Sequence, residues 1–160
     1  MRAHRTERAN SLPPVEMMDE PRWVRHHRKV PIQVNGRAAS STNPATWTAY
    51  AVASSSTLGD GVGFVLNGDG IACVDLDHCL NGRRVEPWAA EILARCPRTY
   101  VEVSPSGTGL HVFGFATVGH GWRQGNVEVY DRGRYMTVTS KRFRSFPRVL
   151  ADFSEFVSSL

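Results

Sequence analysis

The apolar positions of this chain fall in short runs rather than long stripes. Val62 to Leu66 (VGFVL) and Ile71 to Val74 (IACV) have strand length and are separated by Asn67-Gly68-Asp69-Gly70, which predicts two antiparallel strands joined by a tight loop. Thr99 to Val103 alternates with period two. Leu110 to Phe115 reads as a further strand, and Val127 to Tyr130 and Arg134 to Val138 as two more around Asp131-Arg132-Gly133. Trp23 to Val34 is strand material interrupted by charge and closed by the turn signal Asn35-Gly36.

Helical signals are fewer. Asn43 ahead of Pro44 supplies an N-cap and a first-turn proline, predicting a helix from Pro44 to Ala53. Glu86-Pro87-Trp88 opens a second helix, with Trp88, Ile92 and Leu93 on one face, that stops before Pro97, and Val149 to Val157 reads as a final amphipathic helix. Residues 1–20 are polar, contain Pro13-Pro14 and lack periodicity, so they read as a flexible lead-in with one short helical turn, leaving a single folded domain over 21–160. Strands outnumber helices and their connections are short. The expected class is α+β, a mixed or largely antiparallel sheet flanked by helices.

Composition narrows the function classes. A chain of 160 residues is long enough for one independent core. The 41% apolar and 21% charged fractions are those of a globular protein, and no run approaches the roughly 20 apolar residues of a helical membrane span. The basic start MRAHRTERANSLPP lacks the apolar stretch of a secretory signal, so a cytoplasmic, soluble protein is expected. With no long apolar helix face left over, a monomer is expected. Cys73, Cys79 and Cys96 are an odd number without a C-x-x-C pair, which argues against a disulfide framework and a zinc ribbon and for reduced thiols near the core. The net charge of +4 and pI near 9.3 suit a polyanionic partner, and the basic residues gather in Arg22 to Lys29 and Arg132 to Arg148.

Three features carry chemistry. Asp75 and Asp77 stand two apart at the end of an apolar strand, so both carboxylates lie on one face, where their repulsion is relieved by a divalent cation such as Mg²⁺ or Mn²⁺. Read alone, they are more often structural, Asp75 a strand-end polar residue and Asp77 a cap of the following turn. Ser104 to His111 (SPSGTGLH) is a Ser/Gly loop running into a strand; its glycines let successive amides and the Ser106 hydroxyl face a phosphate, with His111 as a further donor. It is not a Walker loop, and its plainer reading is a hairpin turn. Glu128 lies between Val127 and Val129, which share a face, so Glu128 and Tyr130 point to the other. Together, two strand-end carboxylates, a phosphate loop and a third strand carboxylate are the parts of two-metal phosphoryl or nucleotidyl transfer.

These residues resemble the archaeo-eukaryotic primase superfamily, in particular the primase-polymerase domains of bacteriophages, prophages and plasmids. Asp75-Leu76-Asp77 matches its first motif, Ser106-Gly107-Thr108-Gly109-Leu110-His111 its second, and Val127-Glu128 its third, in order and spacing. The likeness extends over residues 21–140, including Lys29-Val30-Pro31, Asn43 to Trp47 and Tyr130 to Thr139. The resemblance implies a modified RNA-recognition-like core and template-directed synthesis of primers, DNA extension, or both, on single-stranded DNA with nucleoside triphosphates. It makes Asp75, Asp77 and Glu128 ligands of a two-metal Mg²⁺ or Mn²⁺ site. It also makes His111 and Ser106, with Gly107 and Gly109 of the same loop, the contacts to the nucleotide. Lys29, Arg132 and Arg134 are candidates for the triphosphate or template, and Trp122 with Arg123 for the template strand.

The chain departs from some relatives. Its cysteines give no zinc stem, and it has no Walker motif, so it reads either as an excised or stand-alone catalytic domain or as one whose helicase domain or partner is supplied separately. Two rival readings remain: a metal-dependent nuclease or phosphatase using the same carboxylates, and a non-catalytic single-strand-binding module.

Overall fold

A computed structural model describes residues 11–160. Its strands, numbered in chain order, are β1 (Trp23–His27), β2 (Val30–Ile32), β3 (Gly61–Asn67), β4 (Ile71–Leu76), β5 (Leu80–Asn81), β6 (Arg84–Val85), β7 (Tyr100–Val103), β8 (Leu110–Phe115), β9 (Trp122–Gln124), β10 (Val127–Tyr130) and β11 (Arg132–Val138). The helices are α1 (Val15–Met18), α2 (Tyr50–Ser55), α3 (Pro87–Arg95) and α4 (Ser154–Ser158). Two antiparallel sheets dominate: a five-stranded one in the order β7-β8-β4-β10-β9 and a four-stranded one in the order β11-β3-β1-β2. The fold is α+β, as the apolar pattern predicts.

Period-two alternation gives the five-stranded sheet two apolar faces. Ala72, Val74, Leu76, Val101, Leu110, Val112 and Val129 form one face, packed with Ala89, Trp88, Ile92 and Leu93 of α3 and with Phe153 and Phe156 at α4. Ile71, Cys73, Tyr100, Phe113 and Tyr130 form the other, packed with Trp23, Phe64, Leu66, Met136 and Val138 of the four-stranded sheet. The second sheet covers only part of that face. Beyond its edge the next residues along each strand are polar, and there the site lies.

Several elements differ from the sequence expectation. β3 and β4 do not pair as a hairpin: β3 sits between β1 and β11, β4 between β8 and β10, and Asn67 to Gly70 carries the chain from one sheet to the other. Both strands are nearly all apolar and need neighbours on both edges, which a two-stranded hairpin cannot supply. β10 and β11 cross between the sheets in the same way at Asp131, and the two crossings are joined where the Gly68 amide donates to the Asp131 carbonyl at 2.8 Å. The predicted helix over 44–53 is broken into a 3-10 turn, Pro44–Thr46, and α2, because Thr48 pairs with Trp23 through two 2.9 Å backbone bonds. The predicted helix over 149–157 shortens to α4, since Ala151 and Phe153 bond the backbone of Phe115 in extended form.

The chain turns at Asn35-Gly36 as expected, where the Gly36 amide donates to the Gln33 carbonyl at 3.0 Å and Ile32 pairs with Ala38. The entry hairpin of β1 and β2, however, turns earlier, at Arg28-Lys29, with His27 opposite Val30 and both turn residues at positive φ, 49° and 65°. Within the lead-in, residues 1–10 lie outside the described residues. Met17 of α1 is buried, and its carbonyl accepts from the Trp23 indole N–H at 3.1 Å. Among the described residues no helix is long and apolar enough to cross a membrane.

Candidate active site

Strand register builds the site. Glu128 on β10 lies opposite Asp75 on β4, Asp75 opposite His111 on β8, and His111 opposite Glu102 on β7, giving one polar row across four adjacent strands. Two residues further along each strand, on the same face, the parallel row is Tyr130, Cys73, Phe113 and Tyr100, which belongs to the core under the second sheet. The polar row therefore opens at the floor of a cleft between the sheets. Asp75, Asp77, Glu128, His111, Ser104 and Ser106 line it from the larger sheet, and Lys29, Arg134, Tyr135 and Thr137 from the smaller.

Charge in the row is unbalanced. Burial pushes the Asp75 carboxyl up to about 6, and Asp77 and Glu128 add to the rise, while His111 and Lys29 oppose it. Asp75 Oδ1 is buried without a hydrogen-bond partner, and His111 Nε2 is 3.9 Å from it. Such an orphaned carboxylate oxygen is costly unless a cation takes it. His111 is buried; burial disfavours its charged ring, but the hydrogen bond and charge of Glu102 and the nearby aspartates outweigh this and raise its pKa. Asp77 follows the strand, its amide donating to the Asn126 carbonyl at 2.8 Å.

The donor chemistry of Asp75, Asp77 and Glu128 suits a hard divalent cation, and the orphaned Asp75 oxygen fits that reading. Among the described residues, however, no group of three or more His, Cys, Asp or Glu side chains is disposed to hold a metal ion. Glu128 Oε1 is instead paired at 3.0 Å with the Arg123 guanidinium from the edge strand β9.

The Ser/Gly loop is built differently from the expected amide cradle. The Gly107 amide donates to the Ser104 carbonyl at 2.9 Å, the Gly109 amide to Ser104 Oγ at 3.0 Å and the Thr108 amide to Ser106 Oγ at 3.3 Å. These amides close the turn on itself. Hydroxyls take their place at the cleft, with Ser104 and Ser106 linked at 3.1 Å and Ser106 and Thr108 at 2.9 Å. Neither Gly107 nor Gly109 lines the cleft. Gly109 is required for close approach, since a Cβ there would stand 2.9 Å from the Leu76 carbonyl oxygen.

The basic candidates separate. Lys29 reaches the cleft from the β1–β2 turn, and Arg134 lies there with its guanidinium 3.9 Å from the centre of the Tyr130 ring. Arg132 turns away and binds both oxygens of Asp131, at 2.9 and 3.0 Å. Trp122 is partly buried and packs against the helix-side core.

One residue escapes the sequence reading. Glu102 is completely buried and receives four hydrogen bonds: from the Thr139 amide (3.0 Å) and His111 Nδ1 (3.1 Å) at Oε1, and from the Ser140 amide (3.0 Å) and the Tyr100 hydroxyl (2.9 Å) at Oε2. Burial, with Glu102 adding, pushes the Tyr100 hydroxyl far up, so it remains a donor. The available signal was the same one that marks Glu128, a glutamate between two valines in a strand.

Over 122 residues, 68% of this chain, the sequence is 38% identical to the DNA primase-polymerase of Nitratiruptor phage NrS-1. The chain spans 17% of the length of that relative. No family model matches it.

Proposed function

The chain carries a primase-polymerase-type domain, and from that premise we propose that it catalyses template-directed nucleotidyl transfer on single-stranded DNA with nucleoside triphosphates. The observation that carries this reading is the polar row from Glu128 to Glu102, in which Asp75, with one oxygen buried and unpartnered, lines a cleft whose other wall supplies Lys29 and Arg134. One wall is anionic and the other cationic, which suits a triphosphate bound together with divalent metal.

Asp75, Asp77 and Glu128 would hold Mg²⁺ or Mn²⁺. When bound, the metal neutralises triphosphate charge and eases ionisation of the attacking hydroxyl. The remaining work falls to the chain's own groups. Lys29 and Arg134 counter the phosphate charge from the smaller sheet, and His111 and the hydroxyls of Ser104 and Ser106 donate to phosphate oxygens from the larger. So held, the α-phosphorus can be attacked in line by a chain-end hydroxyl, forming the new phosphodiester bond as pyrophosphate leaves. Arg123, on the edge strand, is the proposed contact to a template or primer phosphate once Glu128 releases it.

The test offers primed and unprimed single-stranded DNA with ribo- or deoxyribonucleotides and either metal, and compares the wild type with Asp75→Ala/Asp77→Ala. Triphosphate binding is measured first by calorimetry. Metal-dependent product that disappears in the double variant supports the proposal. Template shortening in place of extension would turn it to a hydrolytic reading, and failure to bind triphosphate would end it.

A further inference from the structure

Glu102 lies beneath His111, and every contact around it is a donor. Its Oε1 accepts the Thr139 amide at 3.0 Å as well as facing His111 Nδ1 at 3.1 Å, so the imidazole nitrogen on that side is the donor of the pair. The other ring nitrogen, Nε2, then stands on the cleft side, 3.9 Å from Asp75. We infer that Glu102 is the positioning residue of the site: it holds the ring through Nδ1–H and fixes the orientation of His111, so that Nε2 is presented to the bound phosphate and donates to it when the ring carries both protons.

The same carboxylate ties the ring to the chain that follows β11. The Thr139 and Ser140 amides bond its two oxygens, and the Tyr100 hydroxyl closes the set. Thr137, two residues before Thr139, lines the cleft on the wall of the smaller sheet. Glu102 thus holds His111 on one wall in fixed relation to the strand end on the other. A side chain locked by four hydrogen bonds at zero exposure is suited to this, because orientation is lost if a supporting group can choose among rotamers. Glu102 and the four donors that bond it are paired with one another, so this part of the arrangement persists without a ligand.

The consequence for nucleotide binding rests on the proposed function; the ring geometry does not. Nitrogen NMR of histidine-labelled full-length protein is expected to show a proton on His111 Nδ1, and a ring protonated only at Nε2 overturns the inference without any variant. Glu102→Leu removes the acceptor, and deoxyadenosine triphosphate with Mg²⁺ should bind about tenfold more weakly. Glu102→Gln retains an oxygen for Nδ1–H and should recover most of that loss.

The deciding comparison repeats Glu102→Leu in a His111→Ala background. Loss of the effect there shows that Glu102 acts through the ring. An equal loss in both backgrounds assigns it a merely structural role and overturns the inference. If the wild type binds no triphosphate while the Nδ1 proton is present, the positioning stands and the nucleotidyl-transfer reading fails. If Glu102→Leu does not fold, the wild-type spectrum still decides the ring geometry.

Discussion

Asp75 Oδ1 and His111 Nε2 face each other across one strand pair at 3.9 Å, too far for a hydrogen bond, and the carboxylate oxygen has no other partner. The cleft thus holds a buried anion that the protein alone does not satisfy. With its carboxyl raised to about 6 by burial, the folded state holds the Asp75 proton more tightly than the unfolded chain does. Above the unfolded pKa the unfolded state gives up that proton first. The Asp75 contribution to stability therefore falls as pH rises from about 4 to about 6, on the order of 3 kcal/mol in all. In chelator at pH 8, Asp75→Asn should melt above the wild type, and the difference should shrink toward pH 4. Mg²⁺ or Mn²⁺ should raise the wild-type Tm and leave the variant unmoved. A variant that melts below the wild type at pH 8 would contradict this account.

Arg123 bears on the same anion. Its guanidinium lies 3.0 Å from Glu128 and is 61% exposed, so the pair is worth no more than about 1 kcal/mol. A divalent cation can displace it. Arg123→Ala should tighten Mn²⁺ binding, by at most about fivefold, while weakening binding of single-stranded DNA. Calorimetric titration of each ligand checks the two arms separately, and weaker Mn²⁺ binding by the variant would refute the competition.

What the sequence made legible here was whatever depends on alternation along one strand. Asp75, Glu128 and His111 reach one cleft because period two puts each on the intended face, Asp77 joins them from the turn that follows β4, and short apolar runs marked β3, β4, β8 and β10. Pairing between strands was less legible. Asn67 to Gly70 has the composition of a hairpin loop, yet β3 and β4 enter different sheets, because which neighbours cover an apolar strand depends on distant segments. Hydrogen bonds within the Ser/Gly loop were hidden for a related reason: whether an amide faces a phosphate or the Ser104 oxygen depends on turn geometry that composition does not encode. Glu102 looked like an ordinary strand glutamate until register placed it beside His111.

The β1–β2 turn illustrates a cost carried for position. A two-residue hairpin loop with positive φ at both places favours Asn-Gly, and this one uses Arg28 at 49° and Lys29 at 65°. Side chains there cost about 1 kcal/mol or more apiece. Lys29 reaches the cleft, whereas the Arg28 amide bonds Asp60 at 2.6 Å and its side chain is exposed. Arg28→Asn should therefore stabilise the fold by about 0.5–1 kcal/mol and leave nucleotide binding intact. Lys29→Gly should stabilise it similarly and weaken triphosphate binding about tenfold, as expected for losing one charge-assisted contact. Chemical denaturation and calorimetry separate the two effects, and Lys29→Gly with unchanged nucleotide affinity would remove Lys29 from the site.

Asp131 marks where β10 passes into β11, three residues after Glu128 and three before Arg134. Its Oδ2 accepts the Val118 and Gly119 amides at 2.9 and 3.2 Å, Arg132 binds both oxygens, and its carbonyl holds the Gly68 amide of the neighbouring crossing at 2.8 Å. Burial would raise this carboxyl, but Arg132 and the two amides outweigh it and hold the pKa below the usual carboxylate range. Its stabilising contribution is then complete above the unfolded pKa and is lost as pH falls through the lower folded value. Asp131→Asn keeps the shape but turns one acceptor into a donor among four N–H groups, leaving at least one of them unsatisfied. A loss of about 3 kcal/mol is expected at pH 7, or roughly 6–12 °C in Tm for a domain of this size. Because the crossing sets Glu128 and Arg134 on opposite walls of one cleft, triphosphate binding should weaken together with stability. The difference from the wild type should narrow below pH 4, where Asp131 itself takes up a proton. A variant as stable as the wild type at pH 7 would show that the crossings are held by their backbone bonds alone.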